Sequence, residues 1–165
     1  MNASFLLCAI VIVVVVGASF IFSHFRGAVW VPAFSKDTDA LLKQLNLERG
    51  THVFEFGCGD GRFLRKAAAY GAEATGYEIN PFIWKTARVL CWRKNITIKL
   101  GNAWNKPFGH ADVVFAFIMP RFMEQLGAKL TKELKPGATI VTYTFPIPNM
   151  EHYLFKNNCY FYKIA

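Results

Sequence analysis

The stretch Phe54-Glu55-Phe56-Gly57-Cys58-Gly59-Asp60-Gly61-Arg62, followed by Gly76-Tyr77-Glu78-Ile79-Asn80-Pro81, decides how this chain folds. An apolar, aromatic run that breaks into three alternating glycines and then into a helical pattern is a strand, a tight turn and a helix start. The glycines let the backbone turn sharply and come close to a ligand. A carboxylate at the end of the next strand, here Glu78, can take both hydroxyls of a ribose. The pattern is therefore that of a nucleotide-binding loop.

Spacing narrows the nucleotide. A dinucleotide fingerprint reads G-x-G-x-x-G, and counted from Gly57 its third glycine falls on Arg62, a long charged side chain where a helix must pack closely on a strand. What remains is E-x-G-x-G-x-G with an acidic residue 17 positions after Gly61, which resembles the class I S-adenosylmethionine (SAM)-dependent methyltransferases. The resemblance implies that the loop of Gly57, Cys58, Gly59 and Gly61 passes under the methionine part of the cofactor. It also implies that Glu55 orients the cofactor's amino group, directly or through water.

Outward from this loop the pattern alternates. The periodicity predicts a helix from a cap at Asp37 or Thr38 to about Leu47, with Leu41, Leu42 and Leu45 on its apolar face and Glu48-Arg49-Gly50 ending it. Strands are expected at 51–57, 73–78, 96–100, 112–118, 138–144 and 159–164, with helices at 61–70, 81–94 and 120–134. Alternating βα units give an α/β fold: a doubly wound, mostly parallel, Rossmann-like sheet with helices on both faces. Little chain follows the strand at 138–144, so the terminal hairpin of a full methyltransferase sheet is expected to be reduced. In a doubly wound sheet the ligand lies at the C-terminal ends of the strands. That rule collects residues 57–61, 78–81, 101–104, 117–121 and 144–148. Asn102 follows the third strand where methyltransferases often hold an acidic residue for the adenine amino group; its carbonyl oxygen can accept the same bond while its amide donates to a ring nitrogen. Asn102 is equally a common turn former. The candidate cofactor residues are Glu55, Gly57, Cys58, Gly59, Gly61, Glu78, Ile79, Asn80, Asn102 and Ala103.

The front of the chain has a different composition. With 53% hydrophobic residues in 165, the chain has room for one domain and an apolar surplus. Residues 3–25 carry no Asp, Glu, Lys or Arg, and 10–16 read Ile-Val-Ile-Val-Val-Val-Val. About 20 such residues cross a hydrocarbon core of about 30 Å, so a transmembrane helix is expected at about 3–23, with an anchor over 1–26 and a methyltransferase domain over 27–165. A cleaved signal peptide would need a basic start and a shorter apolar stretch, and no buried strand is that long. The nearest flanking charges, Arg26 and Lys36, lie on the C-terminal side, which places the domain on the cytoplasmic side, or the matrix side if the membrane is mitochondrial. Gly27 to Phe34 reads as a linker with Trp30-Val31-Pro32 near the interface.

The formal charge of +8 is concentrated. No acidic residue lies between Glu78 and Asp112, whereas Lys85, Arg88, Arg93, Lys94, Lys99 and Lys106 do. Beside a bilayer, such a face is explained either by attraction to anionic headgroups or by simple solvation. A nucleic-acid partner is not expected, because no recognition motif accompanies the charge. The four cysteines and four histidines are scattered without metal-ligand spacing, so no metal is expected.

Val31-Pro32, the loop 57–62, residues 76–84, Asn102-Ala103-Trp104, Ala111-Asp112-Val113-Val114, Met119-Pro120-Arg121 and Phe145-Pro146 together resemble the small membrane-anchored lysine methyltransferases. That family includes enzymes acting on the ATP synthase c subunit and the adenine nucleotide translocase, and an N-terminal hydrophobic segment is itself a family trait. The family usually has Asp at the position of Glu55. The resemblance implies a membrane-tethered enzyme that N-methylates a lysine of a membrane protein, with SAM as methyl donor. Trp30, Pro32, Pro120, Phe145 and Pro146 are candidate acceptor-side residues. The reaction needs a positioned, deprotonated amine, and desolvation lowers a lysine pKa without a strong protein base, so no catalytic residue is named. Asp60 and Tyr143 lie where they can approach an acceptor, but read equally as a loop-stabilising and a strand residue. A lipid or small membrane-soluble acceptor, or a SAM-binding module without transfer activity, are the alternatives.

Overall fold

The computed structural model describes residues 2–25, 35–93 and 95–165. Its element order is α1 (Ala3–Phe25), α2 (Ser35–Leu45), β1 (His52–Phe56), α3 (Arg62–Ala69), β2 (Glu73–Glu78), α4 (Pro81–Leu90), β3 (Ile96–Leu100), β4 (Val113–Ala116), α5 (Met123–Glu133), β5 (Thr139–Tyr143), β6 (Leu154–Lys156) and β7 (Cys159–Lys163). Short 3-10 turns at Ala103–Asn105 and Pro120–Phe122 complete it.

Among the described residues seven strands form one sheet in the order β3-β2-β1-β4-β5-β7-β6. The first five are mutually parallel, and β7 runs antiparallel to β5. The strand order reverses between β1 and β4, so the loops after these strands diverge and leave a crevice at their C-terminal ends. The central strands β4 and β5 are buried at every position, as expected where helices cover both faces. On one face α2 and α3 pack Leu41, Leu42, Phe63 and Leu64 against the sheet, with Phe63 stacked 4.2 Å from Phe115. On the other, α5 contributes Met123, Leu126 and Leu130 beside Phe108 and Tyr162.

Several boundaries differ from expectation for local reasons. α2 begins at Ser35 rather than at a cap on Asp37 or Thr38, and Thr38 is buried within it. It ends at Leu45 because Asn46 turns left-handed, with φ 45°, a conformation Asn tolerates. α4 stops at Leu90, where Cys91 takes φ −101° and ψ 28° and its N–H still bonds to Ala87 O. The expected helix at 120–134 divides into a 3-10 turn led by Pro120 and then α5. The expected reduction of the C-terminal end is corrected. A complete hairpin is present, built from the three-residue β6 and from β7. So short a strand carries no alternation to read in the sequence.

α1 is one continuous helix of 23 residues. Its described side chains run unbroken only from Ser4 to Ser19, and among the described residues no helix is long and apolar enough to cross a membrane. The 27–34 linker with Trp30 and Pro32, and also Lys94, lie outside the described residues.

Candidate functional site

The β1 strand delivers Glu55 and the glycine loop to the crevice. Gly57, Gly59 and Gly61 have φ of 81°, 54° and 73°, so the loop rests on a conformation that side chains resist. At Gly57 an added Cβ meets nothing within 4 Å; this backbone faces open space. At Gly61, the N-cap of α3, an added Cβ would stand 2.3 Å from Cys91 Sγ. The loop and α4 therefore pack through the absence of a side chain. Gly76 serves a similar purpose on β2, where an added Cβ would lie 2.5 Å from both Cys58 Cβ and Leu64 Cδ1.

Glu78 ties this loop to the end of β2. Its Oε2 accepts from Gly59 N at 3.0 Å and its Oε1 from Asn80 N at 2.7 Å. The two oxygens together have room for about four donors, so acceptor capacity remains for a ligand hydroxyl. Burial raises the Glu78 pKa, opposed by the hydrogen bonds from Asn80, Gly59 and Ile79. Asn80 is fully buried and caps α4, its Oδ1 accepting from Phe82 N and Ile83 N, with Pro81 at the first helical position. Its Nδ2 donates to Ser19 Oγ of α1 at 3.2 Å.

Glu55 is different. Only 7% of it is exposed, and among the described residues its Oε2 has no hydrogen-bond partner. Burial, then the charges of Asp60 and Glu78, push its pKa well above the ordinary carboxylate value, against Arg62 and Arg65. A buried, unpartnered carboxylate oxygen costs free energy unless a donor supplies the missing bond. Asp60, by contrast, is committed. Its carboxylate accepts from Arg62 N, Nε and Nη2 at 2.9–3.3 Å. Burial pushes its pKa up but the Arg62 bonds prevail and hold it below the usual value. These bonds tie Asp60 to the first turn of α3 and brace the loop.

After β3, Gly101 N bonds to Glu78 O at 2.8 Å and brings the third loop beside the second. Asn102 Oδ1 accepts from Trp104 N at 3.1 Å and so caps the following 3-10 turn. Ala103 is buried, and the Trp104 ring sits edge-on to Phe56 at 4.7 Å as part of the core.

The far side of the crevice is aromatic. Phe117, beyond β4, meets Tyr143 edge-on at 5.0 Å and lies 6.5 Å from the half-buried Phe145. Tyr143 is itself 4% exposed, and Pro120 and Pro146 are exposed at the rim. Sequence reasoning missed what holds this rim. Thr144 has φ 70°, a rare state for a β-branched residue. Asn158 fixes it from both sides, through Thr144 N to Asn158 O at 2.8 Å and Asn158 Nδ2 to Thr144 Oγ1 at 2.9 Å. Thr142 Oγ1 donates to Phe145 O at 2.7 Å, and Tyr162 Oη accepts from Ile147 N at 2.8 Å. Arg65, which donates to Asp60 O at 2.7 Å, was also missed; only its spacing after the loop pointed to it.

A glycine loop after β1, an acidic end to β2 and an antiparallel β7 beside β5 define the methyltransferase class of α/β fold. An RNA methyltransferase from Salinibacter ruber, solved with S-adenosyl-L-homocysteine, has this fold at a TM-score of 0.77 and 24% identity, over 82% of this chain and 94% of that one. A SAM-dependent methyltransferase from Geobacter sulfurreducens follows at 0.62 and 23%, over 79% and 58%. Within that class the chain belongs to the ANTKMT methyltransferase domain family, whose model matches residues 55–153. It is 35% identical over 124 residues to the ATP synthase c-subunit lysine N-methyltransferase of Rattus norvegicus, 73% of this chain and 57% of that protein. It is 32% identical to a protein-lysine N-methyltransferase of Saccharolobus islandicus, over 72% and 77%. To the adenine nucleotide translocase lysine N-methyltransferase of Mus musculus it is 30% identical, over 74% and 55%. The chain thus spans little more than half the length of the two mammalian relatives.

Proposed function

We propose that the chain is a SAM-dependent protein-lysine N-methyltransferase tethered to a membrane, acting on a lysine of a membrane-associated protein. The observation that carries the reading is the unpartnered Glu55 Oε2 beside a glycine loop ordered by Glu78. SAM brings an ammonium group that suits Glu55, and ribose hydroxyls that suit the remaining acceptor capacity of Glu78. Gly57 leaves the backbone open for close approach, while Cys58, Gly59 and Gly61 complete the loop. Ile79, Asn80, Asn102 and Ala103 are assigned to the adenine side; Asn102 can still donate through Nδ2 while its Oδ1 caps the turn.

When bound, the cofactor supplies an electrophilic methyl group on a sulfonium. The chain's own task is to hold a neutral lysine amine in line with that methyl at near-attack distance. Phe117, Tyr143 and Phe145 offer an apolar wall, which favours the uncharged amine by desolvation and attracts its ammonium form on entry. Phe145, Pro146 and Pro120 are assigned to this acceptor side together with Trp30 and Pro32. No protein base is required.

The tether is α1. A helix of 23 residues is about 34 Å long, no Asp, Glu, Lys or Arg occurs in its sequence, and Phe5, Leu7, Ile12 and Val13 are each more than 60% exposed. Water does not tolerate that surface and a bilayer does. Arg26 and Lys36 then put the domain on the cytoplasmic side, or the matrix side in a mitochondrion.

The test is transfer of labelled methyl from SAM by the full chain to membrane fractions, with the modified residue located by mass spectrometry. Label on a lysine Nζ of a protein supports the reading. Label only in extracted lipid would replace the acceptor, and no label from a folded, SAM-binding chain would leave a binding module.

A further inference from the structure

The outer face of α4 is unlike those of α2, α3 and α5, which expose no large apolar side chain among the described residues. Phe82, Lys85, Thr86 and Val89 recur at helical spacing and all are exposed, Val89 by 73%, while Ala87 and Cys91 close the inner side. Just beyond the helix Trp92 is 89% exposed, and on the neighbouring edge strand β3 Leu100 is 48% exposed. Large apolar side chains exposed along one edge of the sheet mark an interaction site rather than ordinary surface. The charges that α4, the turn after it and β3 themselves carry have one sign: Lys85, Arg88, Arg93 and Lys99, with no acidic residue in the sequence between Glu78 and Asp112. Arg88 and Lys99 lie over the Trp84 and Tyr77 rings, at 5.2 and 5.9 Å.

Two observations say what covers this rim. Its charge complements a polyanion, and an exposed indole among aliphatic groups and cations is the composition that settles at a bilayer interface. The second is continuity: Asn80, the N-cap of α4, is hydrogen-bonded to Ser19 of α1. The start of α4 therefore lies against the helix assigned above as the tether.

We propose that this rim of α4, at the β3 edge of the sheet, docks on an anionic bilayer surface, with Trp92 and Val89 at the headgroup boundary and Lys85, Arg88 and Arg93 against lipid phosphates. The inference rests on the membrane reading of α1 and adds a second point of attachment. One helix leaves a domain free to swivel; two contacts fix which edge of the sheet faces the lipid. The edge fixed is the one formed by β3 and α4.

The test uses the full chain in vesicles of phosphatidylcholine alone and of phosphatidylcholine containing about a third phosphatidylglycerol. Flotation reads the tether. Quenching by lipids brominated near the headgroup, compared between wild type and Trp92→Phe, reads the rim; Trp92 is exposed enough for that change to spare the fold. In anionic vesicles the wild type is expected to be quenched clearly more than the variant. The difference should shrink severalfold in phosphatidylcholine, in high salt and in Lys85→Glu/Arg93→Glu, with flotation unchanged. A chain that floats but shows equal quenching in wild type and Trp92→Phe overturns the rim proposal, leaves the tether standing and turns the patch to a protein partner. Flotation confined to anionic vesicles and dependent on Trp92 upholds the rim and removes the tether, and no flotation with either vesicle removes both.

Discussion

The two halves of the crevice are built by different means. On the β1–β2–β3 side, backbone groups and carboxylates do the ordering: Glu78 binds Gly59 N and Asn80 N, and three glycines hold positive φ. On the β4–β5 side, side chains do it: Phe117, Tyr143 and Phe145 meet through their rings, and Thr142, Asn158 and Tyr162 pin the loop that carries Phe145. A site made from backbone geometry tolerates almost no substitution and presents a fixed shape. One made from packed rings can change its lining while the sheet beneath it stays put. The contrast suits a constant cofactor on one side and a variable acceptor on the other.

The sharpest way to break this comparison is at Gly61. Gly61→Ala must place a methyl 2.3 Å from Cys91 Sγ at a φ of 73°, so a loss of about 2–4 kcal/mol is expected. Thermal or denaturant unfolding reads it, with SAM binding abolished. Adding Cys91→Ala removes the sulfur and leaves the nearest atom of that residue 3.9 Å away, which should recover the packing part and leave about 1 kcal/mol of backbone cost. A double variant no more stable than the single one would mean that the loop is not held as described.

Glu55→Gln comes next. Its carboxyl has a raised folded pKa, so the stability linked to its protonated form is fully present below the unfolded value of 4.5 and is lost as pH rises through the folded value. The ligand-free variant should therefore gain on the wild type as pH rises, with the Tm difference widening towards neutral and alkaline pH. SAM affinity should fall in the same variant by about 10–100-fold, the worth of a charged hydrogen bond. A Tm difference independent of pH would contradict a buried, unpartnered Glu55 carboxyl.

Phe145→Ala addresses the other half. SAM affinity should stay within about twofold and the fold should lose no more than about 1–2 kcal/mol, while transfer to the acceptor falls at least about tenfold through its cation–π and apolar wall. Equal losses in binding and transfer would erase the division between the halves. The smallest effect is expected at the opposite end of the strands. There Lys135 pairs with Asp112 at 2.6 Å, with both side chains about a third or more exposed; Lys135→Ala should cost under about 1 kcal/mol and leave binding unchanged.

The same division explains what the sequence made legible. The E-x-G-x-G-x-G loop and Glu78 are local patterns with one backbone solution, and the elements around them fell within a few residues of their expected positions. β6 was missed because three residues show no period. Thr144 was not singled out, since nothing in its neighbours signals a positive φ. Its partner Asn158 is 14 residues away, and Ser19 lies 61 residues from Asn80. Contacts at such separation are set by topology, and local spacing does not encode them. Asn102 shows a third case: its turn-forming role was legible and is realised, while its role towards adenine depends on the ligand.

The most direct measurement is calorimetric titration of the full chain with SAM beside Glu78→Ala. Micromolar binding is expected of the wild type, weakened at least about tenfold when the carboxylate that orders Gly59 and Asn80 is removed. A folded wild-type chain that binds no SAM, or a Glu78→Ala chain that binds it equally well, would contradict the claim that this loop is the cofactor site.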